Sequence, residues 1–264
     1  MRLDKALLEL NLAPTRTKAQ ELIRGGKVKC NDKIITKTSF EVDLNYKFEI
    51  TDLSTLKYVS RAGLKLEKAI QQFNINFKDK IIMDIGSSTG GFSDCSLQNG
   101  ASKVIAVDVG SNLMHKSLRN HPKIELYEQT NIKDLPSDKF KSLDFITIDV
   151  SFVSLKKIFK KLSFEQVNAD IIALIKPQFE CGKQIADKYK GVILDQKIHQ
   201  DILSSTIDMF NSFGYNLLNL TFSPITGGDG NIEYISHLTK SATTPKTINL
   251  KQIISNAFNV LNNQ

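Results

Sequence analysis

The fold of this chain is decided by the stretch Ile81-Ile82-Met83-Asp84-Ile85-Gly86-Ser87-Ser88-Thr89-Gly90-Gly91-Phe92-Ser93. Its apolar start indicates a short buried strand that ends near Asp84, and a glycine turn and a helix follow. The glycines let the backbone approach a ligand closely, and the start of the helix directs free N–H groups to the same place. A second apolar run ends at Asp108, where an acid binds ribose hydroxyls in open α/β folds. The pattern predicts a site for a nucleoside-type cofactor.

The identity of that cofactor depends on the spacing of the glycines. A dinucleotide fingerprint reads G-x-G-x-x-G, and this turn has Ser88 in place of the second glycine. The order Asp-x-Gly-x-x-x-Gly-Gly instead resembles the first motif of S-adenosylmethionine methyltransferases, in which the acid at the strand end faces the methionine ammonium group. A tight turn with no ligand is the alternative. The predicted cofactor contacts are Asp84, Gly86, Ser88, Thr89, Gly90, Gly91, Phe92, Asp108, Asn131, Ile132 and Asp149.

Composition limits the kinds of protein that this chain can be. Of its 264 residues, 24% are charged and 41% are hydrophobic, as is usual for a globular protein in water. A net charge of +7 favours polyanionic partners such as nucleic acid. Three cysteines and four histidines without ligand spacing predict neither disulfides nor a metal ion. No signal peptide or membrane-spanning run is recognisable, so we expect a cytoplasmic monomer that needs no membrane partner.

The amino-terminal part is predicted to form a small α+β domain. One helix would have Leu3, Leu7, Leu8 and Leu10 on its apolar face, and a second would run over 15–24 with Thr15 as its cap. Short strands are predicted at 27–30, 33–35 and 46–50, with a turn at Asn31-Asp32 between the first two. The predicted boundaries are 1–55 for this domain, 56–61 for a linker and 62–264 for the second domain.

The cations of the small domain follow a recognisable order. The runs Arg2-Leu3-Asp4-Lys5, Thr15-Arg16-Thr17-Lys18-Ala19 and Leu22-Ile23-Arg24-Gly25-Gly26-Lys27-Val28 resemble the RNA-binding domain named after ribosomal protein S-four. The turn departs from the Asn-Gly that is usual in that family. A solvated helical face is the alternative reading of the same charges. The predicted RNA contacts are Arg2, Lys5, Arg16, Lys18, Arg24, Lys27 and Lys29.

From residue 80 onward, strand and helix patterns alternate. A helix at 61–75 precedes them, with Leu66, Ala69, Ile70 and Phe73 on its buried stripe and Lys65 off that stripe. The predicted strands are 81–85, 103–108, 123–127, 143–149, 170–175, 215–222 and 232–238. The predicted helices are 91–99, 111–119, 153–162, 194–212 and 250–261, with a loop at 177–191. The pattern predicts a Rossmann-like α/β domain with a seven-stranded, mostly parallel sheet.

Two charged residues at neighbouring strand ends predict the chemistry. Asp149 and Lys176 each close a strongly apolar run, which places them beside the cofactor cleft. Methyl transfer requires positioning of the acceptor and removal of a proton, and a lysine there acts as a base or as a cation beside a forming alkoxide. A pyrimidine-carbon acceptor would require a Pro-Cys pair, which Cys181 does not provide. An exocyclic amine acceptor would require prolines after Asp149, so an oxygen acceptor is favoured by elimination.

The whole chain resembles the TlyA family, which joins the S-four-type domain to an FtsJ-like methyltransferase. The resemblance is carried by Ser60–Leu66, Asp84–Phe92, Asp149–Phe152, Lys176–Glu180, Ser223–Gly227 and Gly230–Glu233. It implies a Lys-Asp-Lys-Glu tetrad at Lys65, Asp149, Lys176 and Glu233. It also implies 2′-O-methylation of a cytidine in ribosomal RNA, with 23S expected from the short amino terminus and 16S left open. Relatives have a tryptophan near the domain junction, and this chain has Tyr58 there.

Two other functions are alternatives to ribose methylation. Homologues have been labelled hemolysins, but the chain shows no export signal, no spanning segment and no long amphipathic stretch outside the α/β pattern. A non-catalytic RNA-binding factor for ribosome assembly would retain the cofactor site only as a structural element. The presence of all four tetrad residues favours an enzyme, because a protein that had lost its activity would be expected to have lost some of them.

Overall fold

The computed structural model describes residues 1–52, 56–241 and 248–261. The chain divides into two compact units, Met1–Arg61 and Ala62–Gln264. None of the helices in the described ranges is both long enough and apolar enough to cross a lipid bilayer.

The first unit is a pair of helices with a three-stranded antiparallel sheet. Its elements are α1 (Leu3–Glu9), α2 (Arg16–Arg24), β1 (Val28–Cys30), β2 (Lys33–Ile34) and β3 (Phe48–Ile50). The strands lie in the order β2-β1-β3. The core includes Leu3, Leu7, Leu22 and Ile23, all fully buried. The two-layer arrangement confirms the predicted α+β character of this part of the chain.

Local details of the first unit follow from its sequence, with one correction. The Thr15 hydroxyl accepts a hydrogen bond from the Lys18 backbone N–H at 3.2 Å, so Thr15 caps α2 as predicted. Leu8 and Leu10 were expected on the buried face of the first helix, but both are exposed. The helix ends at Glu9, so Leu10 lies beyond it and Leu8 falls on its outer face. The apolar stripe of α1 is therefore narrower than the sequence predicted.

In the described ranges, the second unit contains seven strands, which form one sheet, and eight α-helices. Its strands are β4 (Ile81–Ile85), β5 (Lys103–Val107), β6 (Ile124–Tyr127), β7 (Phe145–Ile148), β8 (Asp170–Ile175), β9 (Asn216–Phe222) and β10 (Tyr234–Thr239). Its α-helices are α3 (Ala62–Phe73), α4 (Gly91–Gln98), α5 (Lys116–Arg119), α6 (Leu155–Phe164), α7 (Pro177–Glu180), α8 (Lys183–Lys188), α9 (Gln196–Ser212) and α10 (Leu250–Leu261). Two short 3₁₀ turns, Ile132–Asp134 and Ser137–Phe140, precede β7.

The seven strands form one sheet in the order β6-β5-β4-β7-β8-β10-β9. Strands β4 to β8 are mutually parallel, and β10 lies antiparallel between β8 and β9. The predicted seven-stranded, mostly parallel α/β sheet is confirmed. Strand order reverses between β5 and β7 on either side of β4, which places a crevice at the carboxyl ends of these strands.

The differences from the predicted elements have local causes. The predicted helix at 111–119 is reduced to α5, because the Glu128 carboxylate accepts the backbone N–H groups of Asn112, Leu113 and Met114 at 2.9–3.0 Å. Those residues form a loop in place of a first helical turn. The predicted loop at 177–191 instead contains α7 and α8. Pro177 lies at the start of α7, where its missing N–H has no helical partner to lose.

Helix α3 departs from its predicted amphipathic pattern at one position. Leu66 and Ala69 are fully buried, as the apolar stripe predicts. Helical periodicity alone would place Lys65 at the surface, whereas the resemblance assigned it to the tetrad, and it is only 8% exposed. Burial of a lysine requires a partner for its charge, and the partner here is a distant carboxylate described below.

Candidate active site

The glycine loop after β4 has two positions, Gly86 and Gly90, at which an added side chain would meet neighbouring atoms. Gly86 has φ +82°, and a Cβ atom at this position would lie 2.5 Å from the backbone oxygen of Asp149. Gly90 has φ +91°, and a Cβ atom there would lie 2.5 Å from the Sδ atom of Met114. Ser88 also has a positive φ, of 47°. Glycine is required at 86 because both the backbone conformation and the nearby backbone oxygen exclude a larger residue. At 90 the left-handed backbone conformation favours glycine, while the nearest atoms are the ends of flexible side chains.

Asp84 lies behind this loop and not in the crevice. It is fully buried, and its carboxylate accepts hydrogen bonds from Ser93 Oγ at 2.6 Å and from Thr147 Oγ1 at 3.1 Å. Burial raises the pKa of Asp84 from 3.8 to about 7, and the negative charge of Asp149 acts in the same direction. The structure thus places the predicted ammonium-binding acid against two hydroxyl groups. Its contact with a methionine group stays a prediction.

Asp108, one residue beyond β5, is the acid that faces the crevice. Its Oδ2 atom accepts the Ser88 N–H at 2.8 Å, and its Oδ1 atom accepts the Gly110 N–H at 2.7 Å. These two bonds join the glycine loop to the loop after β5 and fix the carboxylate at the edge of the cavity. An acid at this position is suited to accept hydrogen bonds from a ribose hydroxyl pair.

A cavity of about 830 Å³ lies at the carboxyl ends of these strands. Of the predicted cofactor residues, those that line it are Gly86, Ser88, Asp108, Asn131, Ile132 and Asp149. Those outside the lining are Asp84, Thr89, Gly90, Gly91 and Phe92, which support the loop from behind or begin α4. Apolar walls come from Val109, Leu113 and Ile132. The size, the acid and the apolar walls fit a nucleoside-sized ligand.

The tetrad predicted from the resemblance is arranged as two ion pairs. Lys65 Nζ, on α3, lies 2.5 Å from Glu233 Oε2, just before β10. Lys176 Nζ, just after β8, lies 2.6 Å from Asp149 Oδ1, just after β7, and donates a hydrogen bond to Ser151 Oγ at 3.0 Å. Lys65, Lys176 and Glu233 are each less than 9% exposed. Three of these charged groups are therefore withdrawn from water, and the fourth, Asp149, has a side chain that is 15% exposed.

The sheet brings the two pairs to the same edge. Tyr234 is paired with Ile175 across the antiparallel β8–β10 ladder, so one step further along this register places Glu233 opposite Lys176. Asp149 lines the cofactor cavity and also binds Lys176, so the Lys176–Asp149 pair borders the cavity. A Cβ atom on Gly227 would lie 2.6 Å from the Glu233 carboxylate, which shows how closely that loop covers Glu233.

Other residues of the site were not identified from the sequence. Phe152 lines the cavity, is 90% exposed and has φ +62°, an uncommon backbone conformation for an aromatic residue. Its ring lies 5.1 Å from that of Phe179. Glu128 holds the loop that carries Val109 and Leu113 through the backbone bonds described above. Ser151 and Phe152 belong to a motif next to Asp149, but nothing in the sequence distinguishes Glu128 from a surface acid.

Within residues 1–52, 56–241 and 248–261, no cluster of three or more His, Cys, Asp or Glu side chains could hold a metal ion.

The first unit gathers part of its predicted RNA-contacting set around a buried acid. Asp4 is fully buried, and its carboxylate accepts hydrogen bonds from Arg2 and from Arg16 Nε at 2.9 Å, as well as from Gln20. The Arg2 guanidinium, together with Gln20 and Arg16, holds the pKa of Asp4 well below its usual range. The two guanidinium groups remain partly exposed while their positions are fixed.

The remaining predicted RNA contacts differ in their exposure. Lys5 and Arg24 are exposed. Lys27 lies 3.3 Å from Asp52, and Lys29 lies 3.6 Å from Glu49. Lys18 was expected to present its ammonium group to RNA, but it is only 7% exposed and lies 3.2 Å from Glu21 on the same helix. The exposed phosphate-binding face that the sequence predicted therefore does not include Lys18.

Two family models match the two parts of this chain. The FtsJ-like methyltransferase model matches residues 58–240, and the S4 domain model matches residues 1–47. Both matches agree with the resemblances stated from the sequence.

Relatives align with most of the length of this chain. The chain is 46% identical to YqxC of Bacillus subtilis over 240 residues, which covers 90% of this chain and 85% of that protein. It is 38% identical over 247 residues to the 23S rRNA (cytidine-2′-O)-methyltransferase TlyA of Campylobacter jejuni, covering 86% of this chain and 95% of the relative. A solved structure from Streptococcus thermophilus, whose name includes the word hemolysin, has a TM-score of 0.76 and 34% identity, and covers 100% of this chain and 97% of its own.

Proposed function

This chain belongs to the TlyA family, in which an S4 domain is joined to an FtsJ-like methyltransferase, and on that premise we propose that it methylates a ribose 2′-hydroxyl of ribosomal RNA. The observation that carries this proposal is the Lys176–Asp149 ion pair at the border of the cofactor cavity, 2.6 Å between Nζ and Oδ1. A hydroxyl acceptor must lose its proton during methylation, and Lys176 is a buried basic side chain held at that border by Asp149.

The proposed cofactor is S-adenosylmethionine, which supplies an electrophilic methyl group on a sulfonium. Asp108 would bind its ribose hydroxyls, and Val109, Leu113 and Ile132 would pack against its base. Because Gly86 has no side chain, the backbone there leaves room for the remainder of the cofactor. The absence of a second glycine at position 88 supports this cofactor over a dinucleotide, because no pyrophosphate has to approach the backbone there.

The ribose hydroxyl that accepts the methyl group would be positioned by side chains of this protein. Asp149 and Ser151 fix Lys176 Nζ from two directions, so the amine points toward one place at the cavity border. There it would orient the 2′-hydroxyl. After release of the ammonium proton to Asp149 or to solvent, the neutral amine would take the hydroxyl proton as the O–C bond forms and the methyl–sulfur bond breaks. The Lys65–Glu233 pair stands at the same edge of the sheet and would hold the ribose in line with the methyl group.

The proposed substrate is a cytidine of 23S rRNA. Two features support it: the S4 domain with its ordered arginines Arg2 and Arg16, and similarity to a relative that is named a 23S rRNA (cytidine-2′-O)-methyltransferase. Guanidinium groups held at fixed positions bind phosphates well, because little of their flexibility is lost on binding. 16S rRNA is the competing substrate in the test.

The test uses tritiated S-adenosylmethionine and separated large and small ribosomal subunits from a strain that lacks this gene. We expect label in the large subunit, with digestion yielding 2′-O-methylcytidine. Label in the small subunit alone would reject the 23S assignment. Cofactor binding without label in either subunit would reject the enzymatic proposal and favour an assembly factor.

A further inference from the structure

A row of lysines on α6 begins at the cavity and has no role in the reaction proposed above. Four lysines occur within this ten-residue helix. Lys161 is paired with Glu165 at 2.6 Å. Lys156, Lys157 and Lys160 are exposed, and among the residues that the structure describes they have no carboxylate partner. Other lysines of the same unit, such as Lys80 and Lys103, are paired with Asp144 and Glu125.

The three lysines share one side of the helix. Lys156 and Lys160 are four positions apart, and Lys157 and Lys160 are three apart, so their side chains are neighbours on the helix surface. The opposite side packs into the core through Leu155, Ile158, Phe159 and Leu162. Three neighbouring like charges repel one another, so their proximity destabilises the isolated helix slightly and indicates an anionic partner.

The position of the row relates it to the proposed reaction. Lys157 and Ile158 line the cofactor cavity together with Asp149 and Ser151. The row therefore begins at the cavity that holds the acceptor machinery. It continues along α6, which is about 15 Å long at 1.5 Å per residue and provides room for several phosphates of a nucleic-acid strand.

Aromatic side chains stand at both ends of the row. Phe152, before α6, is 90% exposed, and Phe164, the last residue of α6, is 79% exposed. Large aromatic side chains with so little burial are uncommon on a folded surface. Exposed rings next to unpaired cations are the combination that binds unpaired nucleotides, because every base has a face that can stack.

We propose that Lys156, Lys157 and Lys160 bind the phosphates of an unpaired RNA strand that leads into the active site, with Phe164 stacking on one of its bases. This inference rests on the proposed function and names a second RNA-binding surface, located on the catalytic unit and independent of the S4 domain. The substrate is then an RNA segment whose target nucleotide lies in a single-stranded region.

The experiment measures binding of the full-length protein to deproteinised 23S rRNA and to intact large subunits over a range of salt concentrations. The test variant is Lys156→Gln/Lys157→Gln/Lys160→Gln. The control variant is Lys116→Gln/Lys123→Gln/Lys197→Gln, which removes the same charge from exposed lysines elsewhere in the unit. We expect the test variant to bind at least about tenfold more weakly and its salt slope to fall by about two, from 0.7 per lost phosphate contact. The control should bind like the wild type.

Two further variants keep the outcome interpretable. Lys156→Gln/Lys160→Gln leaves the cavity lining intact and should still lower the salt slope, by about one. Phe164→Ala should weaken binding to an unpaired oligonucleotide about tenfold, with little effect on a duplex. Unchanged binding by Phe164→Ala would remove the ring from the contact.

Several results would overturn the proposal. Equal losses in the test and control variants would mean that only net charge matters. Loss of cofactor affinity in the triple variant, with RNA binding retained, would assign Lys157 to the cofactor instead. Loss of binding to intact subunits but not to 23S rRNA would identify a ribosomal protein as the partner. Unchanged RNA binding in a protein that methylates normally would reject this inference alone, whereas a wild type that methylates no ribosomal RNA would reject the proposed function.

Discussion

The two halves of the large sheet build their parts of the site in different ways. On the side of β4, β5 and β6, the cavity is shaped by backbone: glycines without room for a side chain, and the Asp108 carboxylate held by two N–H groups. On the side of β7, β8 and β10, two ion pairs between side chains lie at the strand ends, and one of their members, Asp149, lines the cavity. The cofactor half thus depends on conformation, and the acceptor half depends on charge.

This difference determines which changes each half tolerates. A buried ion pair is costly to form, and removal of one partner leaves an uncompensated charge in the interior. A glycine loop has no such charge but is sensitive to one added carbon atom. We therefore expect charge removal to affect the acceptor half without loss of cofactor binding, and added volume to affect the cofactor half.

The largest effect is expected from Lys176→Ala. Loss of the group that accepts the ribose proton should lower the rate of methyl transfer by about 10²–10⁴-fold, the usual contribution of general acid–base catalysis. Cofactor affinity, measured by calorimetry, should change little, because Lys176 does not line the cavity. Lys183→Ala, an exposed lysine on α8, provides the control of equal charge. Methyl transfer by Lys176→Ala at the wild-type rate would show that it is not the base.

Lys65→Ala should destabilise the fold as well as slow the reaction. It leaves Glu233 buried and unpaired, which costs about 3–5 kcal/mol in the free energy of unfolding. The double variant Lys65→Met/Glu233→Met removes both charges and should recover most of that loss while remaining inactive. Denaturant unfolding measures both values. A double variant no more stable than Lys65→Ala would mean that the loss comes from packing and not from the unpaired charge.

Gly86→Ala tests whether the cofactor half tolerates one added carbon atom. The new carbon atom meets the Asp149 backbone oxygen and adopts a left-handed backbone conformation, which costs about 1–3 kcal/mol. We expect weaker cofactor binding in a calorimetric titration. Gly228→Ala is the matched control, because no atom lies within 4 Å of its Cβ position. Equal cofactor affinity in the two variants would contradict the tight packing of the loop.

We expect the Asp84 carboxyl to have a smaller effect, a pH dependence of the free energy of unfolding. Its pKa of about 7 in the folded protein is above its ordinary value of 3.8, so the folded state binds the proton more tightly than the unfolded state. The stabilising contribution of the protonated form is present at low pH and is lost as pH rises from about 4 to about 7. The lowered pKa values of Glu125 and Glu128 act mainly below that range.

Asp84→Asn, which stays neutral, isolates this effect. The unfolding free energy of the wild type should fall relative to that of the variant between about pH 4 and pH 7. Above about pH 7 the difference between the two should stay constant. Asp201→Asn, an exposed change on α9, is the control and should track the wild type. A wild-type-minus-variant difference that is constant with pH would show that the Asp84 carboxyl does not titrate in this range.

The same comparison explains how much could be predicted from the sequence. The cofactor half depends on contiguous motifs, so its strands, its glycine loop and Asp108 were predicted from spacing alone. The acceptor half pairs Lys65 with Glu233, which are far apart in the sequence. Helical periodicity contains no information about such a distant partner, so it placed Lys65 at the surface. A resemblance was needed to group the tetrad.

The other differences have the same physical origin. The helix predicted at 111–119 lost its first turn because Glu128, a residue of the following strand region, takes the backbone N–H groups of that turn. Lys18 followed the pattern of a solvated cation, yet Glu21 one turn later holds it in a buried position. In each case a side-chain partner outweighed the local pattern.

The most direct test of the account measures modified nucleosides in cells. Ribosomal RNA from a strain that lacks this gene would be compared after return of the wild-type gene or of Lys176→Ala, with 2′-O-methylcytidine in 23S and 16S rRNA quantified by mass spectrometry. We predict that the wild type restores the modified nucleoside in 23S rRNA and that Lys176→Ala, produced at the same level, does not. Restoration by both genes, or by neither, would contradict the assignment of this site as a ribose methyltransferase centre.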